Sequence, residues 1–373
     1  MNNVTLKQVA ELSGKSEATV SLVLNSRQYH RVSPRTRQLI QSIAEKLGYI
    51  PNMQAQALVK GRTRNIAVTA NGLTPFYNEY IRRITHLLEA RNYNVFAFET
   101  MLSPNRERQV VNWVRQGLFD GCICLEYNHY TREFYEPAIR AGIPYVLRGW
   151  DMPEECPAHM IRVDYRSAVG ELFRHLAAEG WRRFGVITDG SSYCEEATAM
   201  SVRSTLYAEA AENSGVTLDP DGWIVVPFDA ERHLCYIYEH SRALFRNRPD
   251  IDGVIVQSSS DIPAVFKAAA DSGRQIRTDL AIATFDQIPL IEFMQPPVSC
   301  IVEPSDEISQ MAVDGLLAQL TGTESGPVDF SRPVGTRLVI NDSTVRNRSP
   351  GPPDAAPGRS KQTSSQPSYQ EKP

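Results

Sequence analysis

From residue 65 onward, short apolar runs alternate with amphipathic stretches. That alternation, more than any other feature, restricts the chain to helix-flanked parallel sheets. Residues 66–70, 95–98, 121–125 and 145–147 read as buried strands, with 80–91 and 106–116 as helices between them. The pattern resumes with strands at 184–188, 224–226, 253–256 and 281–285, and helices at 167–179, 200–213, 232–247 and 262–272. Two such series predict an α/β body of two similar lobes, with a cleft between them where small ligands usually bind.

At 373 residues the chain has room for two or three domains with real cores. Its 42% hydrophobic and 22% charged content is that of a globular protein. The opening residues do not read as a signal peptide, and no run of about 18 apolar residues could span a membrane. A cytoplasmic protein is expected. Six cysteines are scattered, and only Cys122 and Cys124 lie close, on one face of a strand-like run. Buried thiols are therefore expected in place of disulfides or a metal site, and no cofactor is implied.

Charge is distributed unevenly. Residues 1–64 hold 10 Lys/Arg against Glu11, Glu17 and Glu45, leaving 29 against 40 for the remainder. A small basic head on an acidic body suggests a polyanion-binding module joined to something else. Within that head Thr5 and Gln8 form a capping box, and Leu6, Val9, Ala10 and Leu12 follow at helical spacing up to Gly14. Ser16 caps a second helix carrying Thr19, Val20, Val23 and Leu24. Two short helices across a tight glycine turn make a helix-turn-helix, whose second helix enters the major groove. Ser33-Pro34 opens a third helix with Leu39, Ile40, Ile43, Ala44 and Leu47 as its expected core stripe, stopped by Gly48. Gly14-Lys15-Ser16 imitates the end of a phosphate loop, but the earlier glycine would fall at Val9, so no nucleotide site is read there.

The residues Thr5, Val9, Ala10, Gly14, Ser16, Thr19, Val20, Ser21, Val23, Leu24 and Asn25, then Val32-Ser33, Thr36-Arg37 and Gly48-Tyr49-Ile50-Pro51-Asn52, carry a resemblance. Together they resemble the lactose/galactose-repressor family. Segments 26–31 and 61–64 look most like its fructose-repressor (catabolite repressor/activator) branch. The resemblance implies a type I periplasmic-binding-protein-like body over 65–342, joined to the head (1–50) by a hinge helix and linker (51–64). It also implies that Glu17, Ala18 and Leu22 face bases. Glu17 could accept from cytosine N4, and Ala18 and Leu22 could touch thymine methyls. Ser16, Thr19, Ser21 and Asn25 would hold phosphates. The segment from Asn52 to Gly61 is too short for a stable isolated helix. In similar proteins it folds on the operator and wedges a leucine, here Leu58, into the minor groove. The DNA-binding set is thus Thr5, Ser16, Glu17, Ala18, Thr19, Ser21, Leu22, Asn25, Asn52 and Leu58.

For the cleft, the resemblance implies Asp164 at the lobe crossover, Arg203 as an effector-binding arginine, Asp286 on a sugar hydroxyl, and Phe228 as a stacking aromatic. Departures accompany these. Ser258-Ser259 replace an Asn-Asp pair, Gly149-Trp150 replace Asp-Arg after Arg148, and Leu206 replaces a glycine. Arg148 with Arg203 leads us to expect a phosphorylated or acidic sugar, within a broader class of sugars and sugar phosphates. A homodimer on double-stranded operator DNA is expected, because the Pro-, Gly- and Ser-rich tail (343–373) lacks leucine heptads and reads as disordered. Two rivals are weaker: the basic head and the missing signal-peptide pattern speak against a transport receptor, and the absence of a nucleophile elbow, metal motif or phosphate loop speaks against an enzyme, although a lone carboxylate or serine could act without them. The chain is read as a non-enzymatic regulator.

Overall fold

The computed structural model describes residues 4–25, 31–50, 61–101, 103–127, 129–150, 157–189, 202–227, 232–322 and 328–347. Asn52, Leu58 and Phe228, and the side chains of Asn25 and Arg203, lie outside the described residues.

The head is three helices, α1 (Leu6–Ser13), α2 (Glu17–Asn25) and α3 (Pro34–Leu47). The capping box at α1 is complete: Thr5 Oγ1 accepts from the Gln8 amide at 3.3 Å, and the Thr5 amide donates to Gln8 Oε1 at 2.8 Å. These bonds satisfy two amides that a bare helix start leaves without partners. Gly14, at φ 60°, closes α1 in the left-handed conformation that costs glycine least, which makes the tight turn into α2 possible. Val9, Ala10, Val20, Val23, Ile40 and Ala44 form the small shared core. Leu12 (63% exposed) and Leu39 (44% exposed), both expected inside, point to solvent. Ser13 takes the buried place beside Val9, with its hydroxyl donating to the Ala10 carbonyl at 3.1 Å. The buried stripe is therefore centred one position further round the helix than apolar spacing implied.

The body holds two six-stranded sheets. The first lobe is built from β1 (Asn65–Ala70), α4 (Pro75–Glu89), β2 (Asn94–Glu99), α5 (Pro104–Arg115), β3 (Gly121–Tyr127), α6 (His129–Arg140), β4 (Tyr145–Trp150) and β5 (Met160–Asp164). The chain then crosses into α7 (Arg166–Ala178), β6 (Arg183–Asp189), α8 (Val202–Ser214), β7 (Thr217–Val226), α9 (His233–Asn247), β8 (Gly253–Val256), α10 (Ile262–Asp271), β9 (Ala281–Thr284), α11 (Pro289–Glu292) and β10 (Ser299–Val302). It returns to the first lobe for α12 (Ser305–Thr321) and β11 (Val334–Gly335), and ends in the second with β12 (Arg337–Val339). Strand orders are β11-β5-β4-β3-β1-β2 and β12-β10-β9-β8-β6-β7. Among the described residues every pairing is parallel except β10 with β12, an exception to the all-parallel expectation.

The chain thus passes between lobes three times, and the passages are tied together. The Asp164 carbonyl accepts from the Thr336 amide and hydroxyl, both at 3.1 Å, joining the first passage to the third. One buried core runs through both lobes, from Val68 and Ile123 on one side to Phe184 and Val186 on the other. Packing continues past the expected boundary at 342. Ser343 and Thr344 are buried, and Arg346 bonds to Glu179 and lies over the Trp181 ring at 4.1 Å. At the other end, Asp120 holds the close of the linker. Its Oδ1 accepts from the Thr63 amide and hydroxyl, both at 2.7 Å, and its Oδ2 from the Arg64 amide at 2.9 Å. No described helix is long and apolar enough to cross a membrane.

Close strand packing leaves no room at one glycine beside the cleft. A β-carbon on Gly149 would sit inside contact distance of the Tyr127 carbonyl oxygen and 2.8 Å from Met160 Cε, where β3 and β4 shift register. Gly149→Ala is expected to destabilise the protein by about 1–3 kcal/mol through overpacking, read as a lowered urea midpoint.

Candidate functional site

Two regions gather the chemistry. In the head, Ser16 Oγ accepts from the Thr19 amide at 3.2 Å and pairs with the Thr19 hydroxyl at 2.9 Å, capping α2. Glu17 and Ala18 stand exposed on the first turn, while Ser21 and Leu22 are half-buried further along the same helix. The structure thus brings Ser16, Glu17, Ala18, Thr19, Ser21 and Leu22 onto one short helix whose N-terminal turn is open. Thr5 serves a different helix as its cap. Lys7, Lys15, Arg31, Arg35 and Lys46 are exposed around this core, giving the head its positive surface.

The second region is the cleft between the lobes, a cavity of about 410 Å³. It lies at the carboxyl ends of the strands, as expected for ligand sites in parallel sheets. Asn71, Glu99, Glu126 and Trp150 come from the first lobe, and Val226, Ser258, Phe285 and Asp286 from the second. Trp150 stacks on Tyr165 with centroids 4.0 Å apart and rings 18° from parallel, and Phe285 lies 6.4 Å beyond.

At the base of the cleft sits a buried charge pair. Arg148 on β4 donates from Nε to Glu303 Oε2 at 3.2 Å and pairs through Nη2 with Glu303 Oε1; its Nη1 donates to the Leu125 carbonyl at 3.2 Å. Glu126 stands 3.6 Å from the same guanidinium. Glu303 also accepts from the hydroxyls of Tyr80 (2.5 Å) and Tyr165. Burial and then the Glu303 charge push the Tyr80 phenol well above its ordinary pKa, so it remains a donor. Glu303 lies between β10 of the second lobe and α12 of the first, so the pair pins the second passage to β4.

Asp286 follows β9, and its Oδ1 accepts from the Ser259 amide at 2.5 Å. Burial raises its pKa to about 6, and Asp261 and Glu303 add to the rise. Asp164 is at the crossover, where its carboxylate accepts from the Arg166 amide at 2.8 Å; it is not among the residues lining the cleft. Of the predicted effector set, then, the structure brings Arg148 and Asp286 to one cavity and holds Asp164 apart from it. Sequence reasoning missed Glu303, Tyr165, Phe76 and the His233–Asp261 pair (2.8 Å). Strand ends were the available signal, since Phe285 and Glu303 each directly follow a strand. Cys122 and Cys124 are buried and free, and no group of described residues could hold a metal ion.

Residues 5–52 match the family described as bacterial regulatory proteins, lacI family, and residues 173–344 match the periplasmic binding protein-like domain. The ribose operon repressor of Escherichia coli (strain K12) is 27% identical over 328 residues, covering 85% of this chain and 93% of that protein. Among solved structures, the transcriptional regulator CelR–cellobiose complex is 24% identical, with a TM-score of 0.60 over 91% of this chain and 100% of that one. The lac repressor dimer bound to operator and an anti-inducer is 18% identical, with a TM-score of 0.70 over 92% and 100%. Both likenesses are of fold.

Two expectations follow from the cleft. Arg148→Met leaves the Glu303 carboxylate buried without its cation and should cost about 3–5 kcal/mol in chemical unfolding, most of it recovered by adding Glu303→Leu. For Asp286 the sign is opposite. An acid whose folded pKa is raised costs nothing below its ordinary 3.8, a growing amount as pH climbs to about 6, and its full amount above that. Asp286→Asn should therefore stabilise by up to about 3 kcal/mol at pH 7.5. The gain should vanish toward pH 4 in thermal melts.

Proposed function

Because the chain belongs to the lacI family of bacterial regulatory proteins, we propose that it is a sequence-specific transcriptional repressor whose hold on operator DNA is set by a small molecule in the inter-lobe cleft. The observation that carries this reading is the capped helix pair at residues 5–25, with the first turn of α2 exposed, inside the segment that matches the family. On this reading Glu17 accepts from a cytosine, and Ala18 and Leu22 meet thymine methyls. Thr5, Ser16, Thr19, Ser21 and Asn25 fix register on phosphates. Asn52 starts a hinge helix that delivers Leu58 to the minor groove.

Residues 1–50 are assigned to DNA reading, 51–64 to the hinge and linker, 65–347 to sensing and dimerisation, and 348–373 to a tail. The effector contacts are Arg148, Asp286, Arg203 and Phe228, the last two on the family likeness alone. Asp164 is assigned a positioning role at the crossover. The protein works as a cytoplasmic homodimer without a chemical step. The relatives' ribose-operon and cellobiose names favour a sugar-like effector.

Linkage supplies the mechanism. The linker is tied to the first lobe, through Asp120 and through Arg62 to the Leu320 carbonyl at 2.5 Å. An effector that favours one arrangement of the lobes changes where two linkers emerge across the dimer, and operator affinity shifts by a coupling on the order of 1–3 kcal/mol.

Gel shifts with the DNA upstream of the protein's own gene test this. Binding should be tight and should fall steeply with salt, and deletion of residues 1–60 should abolish it. Undiminished binding after that deletion would reject the reading. Leu58→Ala should weaken specific binding far more than non-specific binding, and Glu17→Ala should relax base preference at one position in a selection experiment.

A further inference from the structure

The charges of the cleft say what kind of effector it admits. Two features that would attract an anion are already occupied by the chain's own carboxylates. Arg148 is held by Glu303, with both side chains buried. The amide of Ser259, one turn before α10, is taken by Asp286, and the Asp261 carboxylate stands in the same turn facing His233. A phosphate or carboxylate on the ligand would have to displace these groups from a buried site, and it would meet like charge in doing so.

What the cavity offers instead is acid and aromatic surface. Glu99, Glu126, Asp261 and Asp286 line it, against Arg148 and His233. The Arg148 charge is balanced by Glu303 just behind the wall, and counting Arg203 as a further cation still leaves acids in excess. Asp286 is the telling group. It is 8% exposed, it lines the cavity, and no cation among the described residues faces it. Nearby, Ser260 also lines the cavity, and its buried hydroxyl has no hydrogen-bond partner among the described residues. Trp150, Tyr165 and Phe285 also line the cavity, and aromatic ring faces attract cations as well as the apolar faces of sugars. A ligand ammonium would supply the cation that Asp286 lacks among the described residues.

We propose that the cleft selects an amine-bearing polyhydroxylated molecule, an amino sugar or a close relative, over neutral and anionic sugars. The inference rests on the sensor reading of the cleft, and it replaces the phosphorylated or acidic sugar expected from Arg148 and Arg203.

Titration calorimetry on the full-length protein, with sugars matched in scaffold, tests it: D-glucosamine, D-glucose and D-glucose 6-phosphate, then the galactose and ribose counterparts. On at least one scaffold the amine should bind more tightly than its neutral partner by on the order of tenfold, with the phosphate weakest. Asp286→Asn should remove most of that preference while the variant still melts cooperatively. A neutral or phosphorylated member binding best, or silence across all three classes, would overturn the proposal. Loss of operator binding in the gel shift would reject the regulator reading separately and leave this ranking of ligands unaffected.

Discussion

The buried pair of Arg148 and Glu303 is the interaction on which the body depends. A guanidinium and a carboxylate this deep are stable only together, and only when their remaining donors and acceptors are satisfied. Leu125, Tyr80 and Tyr165 do that. The pair is also placed where it matters. Arg148 belongs to a strand that ends in Trp150, which lines the cleft, and Glu303 belongs to the passage between lobes. A rearrangement of the lobes must carry this network along or break it, so it restricts the body to a few discrete arrangements.

The head has a different economy. Its core is six small or branched residues, and much of its order comes from caps. Thr5, Ser16 and Ser33 each accept from an amide three residues on, and Gly14 and Gly48 close their helices left-handed. This leaves the first turn of α2 exposed with its geometry fixed, as a reader of base edges requires.

Much of this could be read in the sequence, and the failures have physical causes. The eight strands expected from apolar runs are all present, seven with shifted ends and 253–256 as expected. Helix α6 escaped notice because Pro137 sits inside it, and a proline normally argues for a break. Helix α12 escaped because its buried face includes Ser309, Ala312 and Gly315, which leave little apolar periodicity; the Phe330 ring packs where a Gly315 side chain would be. Strands β5 and β10 are only five and four residues long. In the cleft, Asp286 was found by resemblance, but no local pattern marks Glu303 as the partner of Arg148, 155 residues away. That pairing changed the expected charge of the ligand, because an arginine that looked free in sequence is spoken for in the fold.

The three passages between lobes bear on how the chain is made. Both sheets take their last strands from residues 334–339, and Ser343 and Thr344 then seal the second lobe. The head needs only its first fifty residues. On the ribosome a DNA-reading module can therefore form early, while neither half of the sensor is complete until nearly the whole body has emerged. A message truncated a few dozen codons short would yield folded heads on unfinished bodies.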